Sequence, residues 1–329
     1  MTLQRILLAP FGWLYGGVME VRNLLFKKRI LKQAEFDIPV ISIGNLAVGG
    51  TGKTPFTKYL IKHYSSSQNV AVLSRGYGRR TKGYRVVNPD DDPGQSGDEP
   101  LEIKRSYPSV VVCVCEDRVL GIAQMIHEFP EIELILLDDA FQHQYVLPSC
   151  SILLSRASNP FYRDAVLPAG RLREFRHNWR RADMVVYTSA EETWQPKRSV
   201  NRPTFLAFNR YGALRTMNGQ PSEDQPHLLI TGIASSSILY AHLNELIGVS
   251  HHISLPDHHR YTESELRQLQ QKYPNYHWIT TEKDWVKIGQ FAHQLDAAIS
   301  VIPMTFQVDN EALFFATIDQ ICGMEELED

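Results

Sequence analysis

Gly44-Asn45-Leu46-Ala47-Val48-Gly49-Gly50-Thr51-Gly52-Lys53-Thr54 follows an apolar run at residues 39–43 and precedes a helix-forming stretch at residues 55–64. Strand, glycine-rich turn, Lys-Thr, helix is the layout of a phosphate-binding loop. Gly49, Gly50 and Gly52 let backbone N–H groups close around a polyphosphate where a Cβ would intrude. The helix start adds unpaired donors and a positive dipole end. Thr51 lies within that cradle, Lys53 supplies a mobile cation for the β- and γ-phosphates, and the Thr54 hydroxyl can ligate Mg²⁺. Pro55 suits a first helical turn, which needs no internal N–H donor. The strict pattern has glycine where this chain has Ala47, so an ordinary glycine-rich turn is the competing reading.

Further chemistry-bearing residues fall at other strand ends. Leu134-Ile135-Leu136-Leu137-Asp138-Asp139 is an apolar run ending in two acids. A carboxylate there can face the phosphate loop and hold Mg²⁺, directly or through water. Gln142 and His143 follow at once and can orient phosphate, water or an acceptor hydroxyl. Ser74-Arg75-Gly76-Tyr77-Gly78-Arg79-Arg80 interleaves glycine with arginine, as a loop over anionic groups requires, though a solvated basic turn reads the same way. Gly97-Asp98-Glu99-Pro100 closes an acidic loop. Phosphoryl transfer to a hydroxyl needs one carboxylate near the acceptor, and either Asp98 or Glu99 could serve; by position alone both read as turn acids. Arg171, Arg173 and Glu174 lie in a basic patch that suits bidentate phosphate binding or a charged helix face equally. Asp257-His258-His259 pairs an acid with histidines but lacks the ligand spacing of a zinc site. Thr280-Thr281-Glu282-Lys283-Asp284 follows a strand and could reach the same cleft.

The bulk numbers set limits. The chain has 329 residues, enough for two domains, with 43% apolar and 22% charged residues and a formal net charge of −3. Nothing in this balance points to nucleic acid. Cys113, Cys115, Cys150 and Cys322 lack paired metal-ligand spacing and read as buried reduced thiols, which suits a cytosolic compartment. The amino terminus differs from the rest. Residues 6–19 carry no charge over 14 positions, whereas a spanning helix needs about 20. Basic residues follow, leaving the first 32 side chains at +5. This pattern predicts an interfacial amphipathic anchor with Lys and Arg facing an anionic membrane surface. A helix packed on the protein's own core is the alternative.

Apolar runs at residues 40–43, 70–73, 110–115, 134–137, 152–154 and 184–187 alternate with helical stretches at 53–64 and 119–129. Several are continuous rather than alternating, as strands covered on both faces should be. The expected fold class is α/β: a P-loop, doubly wound, mostly parallel sheet, then a second, smaller α/β domain. The expected organisation is an anchor at 1–33, a nucleotide domain at 34–203, a hinge at 204–226 made of two short strands around a turn, and a smaller domain at 227–329. Ligands in such sheets sit at the carboxyl ends of the strands.

In their order, the motifs GNLAVGGTGKTP, SRGYGRR, GDEP, LDDAFQH, LPAGRLRE, PDHHRY and TTEKD resemble the tetraacyldisaccharide 4′-kinase (lipid A 4′-kinase) family over most of the chain. The family tolerates a small residue at the Ala47 position; Ala140 stands where glycine is common. The resemblance implies a membrane-associated ATP- and Mg²⁺-dependent kinase on the cytoplasmic face of the inner membrane. It implies transfer of the γ-phosphate to the 4′-hydroxyl of a tetraacylated glucosamine disaccharide 1-phosphate, by a monomer of two α/β/α domains with a two-stranded linker. It marks Asp98 as the general base and His258 as its partner. Asp138, Asp139, Gln142, His143, Arg118, Arg173 and Glu174 match active-site positions. Thr54 and Asp138 are thus expected at the metal, Lys53 and Asp139 at the transferring group, and Gln142 and His143 at the nucleotide. Arg75, Tyr77, Glu99, Arg118, Arg171, Arg173 and Glu174 are expected at the lipid substrate.

Two other classes fit the phosphate loop. A GTPase switch should carry a guanine-reading N/T-K-x-D motif, but in Thr281-Glu282-Lys283-Asp284 the lysine falls one place late. A non-catalytic nucleotide binder on a membrane could dispense with Asp98.

Overall fold

The computed structural model describes residues 3–324 apart from 223; the parts of the expected segments at 1–2 and 325–329 lie outside the described residues. The chain begins with a long helix, α1 (Leu3–Lys27). The first body then runs β1 (Val40–Asn45), α2 (Lys53–Tyr64), β2 (Val70–Ser74), β3 (Arg85–Val86), α3 (Pro93–Ser96), α4 (Asp98–Ser106), β4 (Val111–Val114), α5 (Arg118–Glu128), β5 (Leu134–Leu137), β6 (Cys150–Arg156), β7 (Met184–Thr188) and β8 (Thr204–Tyr211). The second comprises β9 (Arg215–Asn218), β10 (His227–Thr231), α6 (Ser237–Ile247), β11 (Val249–Ser254), α7 (Glu263–Lys272), β12 (His277–Thr281), α8 (Glu282–Ile288) and β13 (Ile299–Ile302). Finally come β14 (Met304–Val308) and α9 (Glu311–Cys322).

The large sheet has nine strands in the order β14-β8-β7-β6-β1-β5-β2-β4-β3. Its strands are parallel except β3 and β14, which pair antiparallel at the two edges. The β1 strand lies at the centre between β5 and β6 and is buried along its whole length. Side chains alternate across it with period two. Ile41 and Ile43 pack with Phe56, Leu60 and Ile61 of α2, while Val40 packs with Ile122 and Met125 of α5 on the other face. The small sheet has the order β11-β10-β12-β13-β9, with only β9 antiparallel.

The two strands expected to form the hinge do not pair with each other. β8 belongs to the large sheet and β9 to the small one. Nor does the carboxyl-terminal part of residues 227–329 stay with the small sheet. β14 returns to β8, and α9 covers the same face of the large sheet as α2. The reason is aromatic and polar packing: Phe314 lies edge-on to Phe56, and Tyr59 and Tyr64 donate to Glu311 and Asp319 at 2.7 and 2.8 Å. The helix behind the phosphate loop is thereby held by α9.

The 25 residues of α1 form one helix about 37 Å long despite Pro10. Its small residues allow close docking on the first body. A Cβ at Gly16 would fall 2.5 Å from the Phe175 ring, and one at Gly12 3.1 Å from the Val166 carbonyl oxygen. Asn23 donates to Glu174 and Phe26 is buried beside Tyr145. The opposite side is bare. Leu7, Phe11, Leu14, Val18 and Val21 recur at helical spacing and are exposed, Leu7 at 66% and Leu14 at 71%, with Trp13 beside them at 72%. One face of the helix thus packs on the protein's own core, as the alternative reading expects, and the other leaves an apolar stripe exposed. No helix among the described residues is long and apolar enough to cross a membrane. All four cysteines are unpaired thiols, three buried and Cys322 half-buried.

Candidate active site

The carboxyl ends of the parallel strands of both sheets deliver loops to one cavity of about 450 Å³. From the large sheet come the loop after β1, Tyr77 after β2, Asp139 after β5 and Arg173. From the small sheet come Asp257 and His258 after β11 and Lys283 at the start of α8.

The glycine turn has the backbone that a phosphate cradle requires. Gly49 and Gly52 have φ of 105° and 78°, which L side chains rarely adopt. Gly52 caps α2 with no side-chain bond to the helix N–H groups, leaving donors for an anion. A Cβ at Gly50 would lie 2.7 Å from Ala234, and one at Gly52 2.7 Å from Phe306. Thr51 is fixed from both sides: its hydroxyl accepts from Asn45 at 2.6 Å and its carbonyl from the Thr188 hydroxyl at 2.8 Å. These residues fit a nucleotide triphosphate.

Asp138 and Asp139 divide the work. Asp138 is fully buried; its Oδ1 accepts from Thr57 at 3.3 Å and its Oδ2 has no partner. Burial, followed by the charges of Glu99 and Asp139, pushes its carboxyl up to about 7. A buried carboxylate oxygen without a donor is costly, and a divalent cation would offset that cost. With buried Thr54, one helical turn before its partner Thr57 on α2, it fits Mg²⁺. Among the described residues no three His, Cys, Asp or Glu side chains could hold a metal by themselves; a P-loop site relies on phosphate oxygens and water for the rest. Asp139 has φ 49° and takes a fork from Arg173 at 2.9 and 3.2 Å, with Lys53 Nζ 3.8 Å away. Burial would raise its pKa, but Lys53 and Arg173 outweigh it and hold the carboxyl below its usual range.

Asp98 begins α4, and its Oδ2 accepts from His258 Nδ1 at 2.9 Å across the gap between the bodies. Burial alone would raise the Asp98 pKa; the His258 hydrogen bond and the charges of Lys283 and Lys287 bring it below normal. His258 itself has φ 59°, and Asp98 raises its pKa against burial and Lys283. Glu99 bonds Lys283 at 3.2 Å, and Tyr77, largely exposed, puts its ring 5.5 Å from that of His258.

Four expected contact residues are bonded within the protein. Glu174 is fully buried, and its oxygens accept from Arg181, Asn23 and Gln142. It therefore cannot present a carboxylate to a ligand. Gln142 donates to the Asn45 carbonyl at 2.8 Å and accepts from Arg173 at 3.0 Å; it aims Arg173. His143 accepts from the Arg118 backbone N–H, and burial with the Arg118 charge pushes it down to about 4. Arg118 is buried and donates to the Cys115 carbonyl at 3.0 Å, with its Nε unpartnered; burial pushes it down to about 10. Arg75 is exposed at the end of β2. Arg171 lies apart, paired with Asp164 at 3.3 Å, in a neighbouring cavity of about 480 Å³.

Sequence reasoning passed over several site residues. Arg156, at the end of β6, lines both cavities. Lys58 bridges Glu102 and Glu282 at 3.2 and 2.7 Å, tying α2, α4 and α8 together. The acidic stretch around Asp98 hid that pairing, since no local pattern marks Glu102 as buried.

A phosphate cradle, a metal-ready carboxylate and a carboxylate–histidine pair at one cleft define a P-loop phosphotransferase. The sequence model of the family described as "Tetraacyldisaccharide-1-P 4′-kinase" matches residues 4–322. The chain is 38% identical to the tetraacyldisaccharide 4′-kinase of Cytophaga hutchinsonii over 90% of this chain and 89% of that one. It is 36% identical to that of Bacteroides thetaiotaomicron over 92% and 88%. The crystal structure of LpxK from Aquifex aeolicus in complex with ATP superposes with a TM-score of 0.80 at 30% identity, covering 96% of this chain and 99% of that one. The chain belongs to the tetraacyldisaccharide 4′-kinase family.

Proposed function

We propose that this enzyme transfers the γ-phosphate of ATP to the 4′-hydroxyl of a tetraacyldisaccharide 1-phosphate, with Asp98 as general base. The observation that carries the reading is the Asp98–His258 pair, 2.9 Å apart, beside the cavity that holds the phosphate loop. Asp98 is kept anionic and so can receive a proton. The acceptor oxygen forms its bond to the γ-phosphorus, the bridging P–O bond breaks, and ADP leaves with the electron pair. The hydroxyl proton passes to Asp98. A loose transition state asks little of the nucleophile until late, so one modest base suffices. Lys53 and the loop amides offset charge on the transferring group, with Arg173 steering Asp139. Mg²⁺ held by Thr54 and Asp138 would neutralise the β- and γ-phosphates.

The substrate's four acyl chains keep it in a bilayer, so the cleft must come to the surface. The bare stripe of α1 and exposed Lys27, Lys28, Arg29 and Lys32 support peripheral binding to an anionic leaflet. The cytoplasmic face of the inner membrane is where ATP and that lipid meet. The test is label transfer from γ-labelled ATP to the lipid in mixed micelles. Labelled lipid is expected; rapid phosphate release without acceptor, and no labelled lipid, would favour a nucleotide switch.

A further inference from the structure

The Lys283 ammonium has three N–H donors and meets three acceptors: Glu99 Oε1, Asp257 Oδ1 and His258 Nε2, each at 3.2 Å. We infer that Lys283 fixes the tautomer of His258, reserving Nε2 as an acceptor so that Nδ1–H donates to Asp98, and is thus a positioning residue for the base. The inference rests on the reading of Asp98 as base.

Two cationic donors 3.2 Å apart would repel, so the Lys283–His258 contact requires a lone pair on one side. Lys283 is the partner that stays charged. Burial opposes its charge, but Glu99, Asp98 and Asp257 outweigh burial and raise its pKa. Asp98 favours a charged imidazole, but a charged ring would set two cationic donors 3.2 Å apart, so while the Lys283 contact holds His258 is neutral with its proton on Nδ1, where Asp98 Oδ2 lies at 2.9 Å. The charged groups facing this cluster are Asp98 and Glu99 from α4, Asp257 from the loop after β11, and Lys287 from α8, whose Nζ is 3.9 Å from Asp98. A histidine so held orients Asp98 but cannot accept its proton at Nδ1. The transferred proton therefore stays on Asp98 until the contact breaks. Lys283 and His258 belong to the small sheet's body and Asp98 and Glu99 to the large one, so the base is aligned only when both bodies meet.

Nitrogen NMR of the ¹⁵N-histidine-labelled full chain, with His258 assigned by comparison with His258→Gln, reads the tautomer directly. The Nδ1–H form is expected at pH 7.5, with loss of that preference in Lys283→Met. In the kinetic arm, Lys283→Met should lower kcat about tenfold or more and change the KM for ATP less than about twofold. Its acid limb should move to higher pH, because Asp98 loses a neighbouring cation. An Nε2–H tautomer in the wild type overturns the inference, and so does an unmoved acid limb in Lys283→Met. Full activity in Asp98→Asn would instead sink the base assignment, whatever the tautomer.

Discussion

Replacing Leu7 and Leu14 by serine removes two side chains that already face outward, at 66% and 71% exposure, from the stripe on α1. Neither the fold nor the cleft should change, because the docked face of the helix is built from Gly12, Gly16, Asn23 and Phe26. Fully burying a leucine is worth about 1.5–3 kcal/mol. About two-thirds of that is available when the exposed part enters the bilayer, so each substitution costs roughly 1–2 kcal/mol and the pair roughly 2–4 kcal/mol. A tenfold change corresponds to about 1.4 kcal/mol, so the vesicle partition coefficient should fall by about 30- to 700-fold. The assay is co-sedimentation with phosphatidylglycerol-containing vesicles, with ATP affinity and Tm measured on the same preparations. The residual binding should fall further with salt, because Lys27, Lys28, Arg29 and Lys32 remain. Unchanged partition would refute the membrane role of the stripe, and a large drop in Tm would show that this face is part of the core.

Gly16→Val should lower stability by about 1–3 kcal/mol through overpacking, since the added Cβ meets the Phe175 ring at 2.5 Å; denaturant titration reads it. Lys53→Ala and Asp138→Ala should each lose about 2–4 kcal/mol of transition-state stabilisation, read as kcat/KM in the lipid transfer assay. His277 donates or accepts at 2.7 Å with Ser300, and burial, then His227, pushes it from 6.5 down to about 4. Its folded pKa lies below the unfolded one, so the unfolded chain binds more protons in that window and stability falls as pH drops from 6.5 to about 4. Calorimetry of His277→Gln should show a flatter dependence of Tm on pH over the same range.

Much of this was legible where a local pattern and a tertiary role coincide. The bounds of α2 and β5 follow from local patterns between clear breakers, and β1 reads as a strand covered on both faces because its run at 40–43 is apolar apart from Ser42. The start of α4 was hidden: Asp98-Glu99-Pro100 looks like a turn, and its burial follows from His258, Lys283 and Lys287 of the other body. Glu174 read as a ligand contact because its partner Asn23 is 151 residues away in sequence. The return of β14 to the large sheet is a pairing between edges, which leaves no mark on either strand alone. Lys283 stood in a recognised motif, yet its role appears only when three acceptors from two bodies converge on it.

The central claim is that the Asp98 carboxylate takes the lipid hydroxyl's proton. Asp98→Asn keeps the size of the side chain and a carbonyl oxygen for His258 but removes the basic group, so single-turnover transfer from pre-bound ATP to the lipid should slow by about 100-fold or more, with ATP affinity unchanged. Transfer at the wild-type rate in that variant would contradict the account.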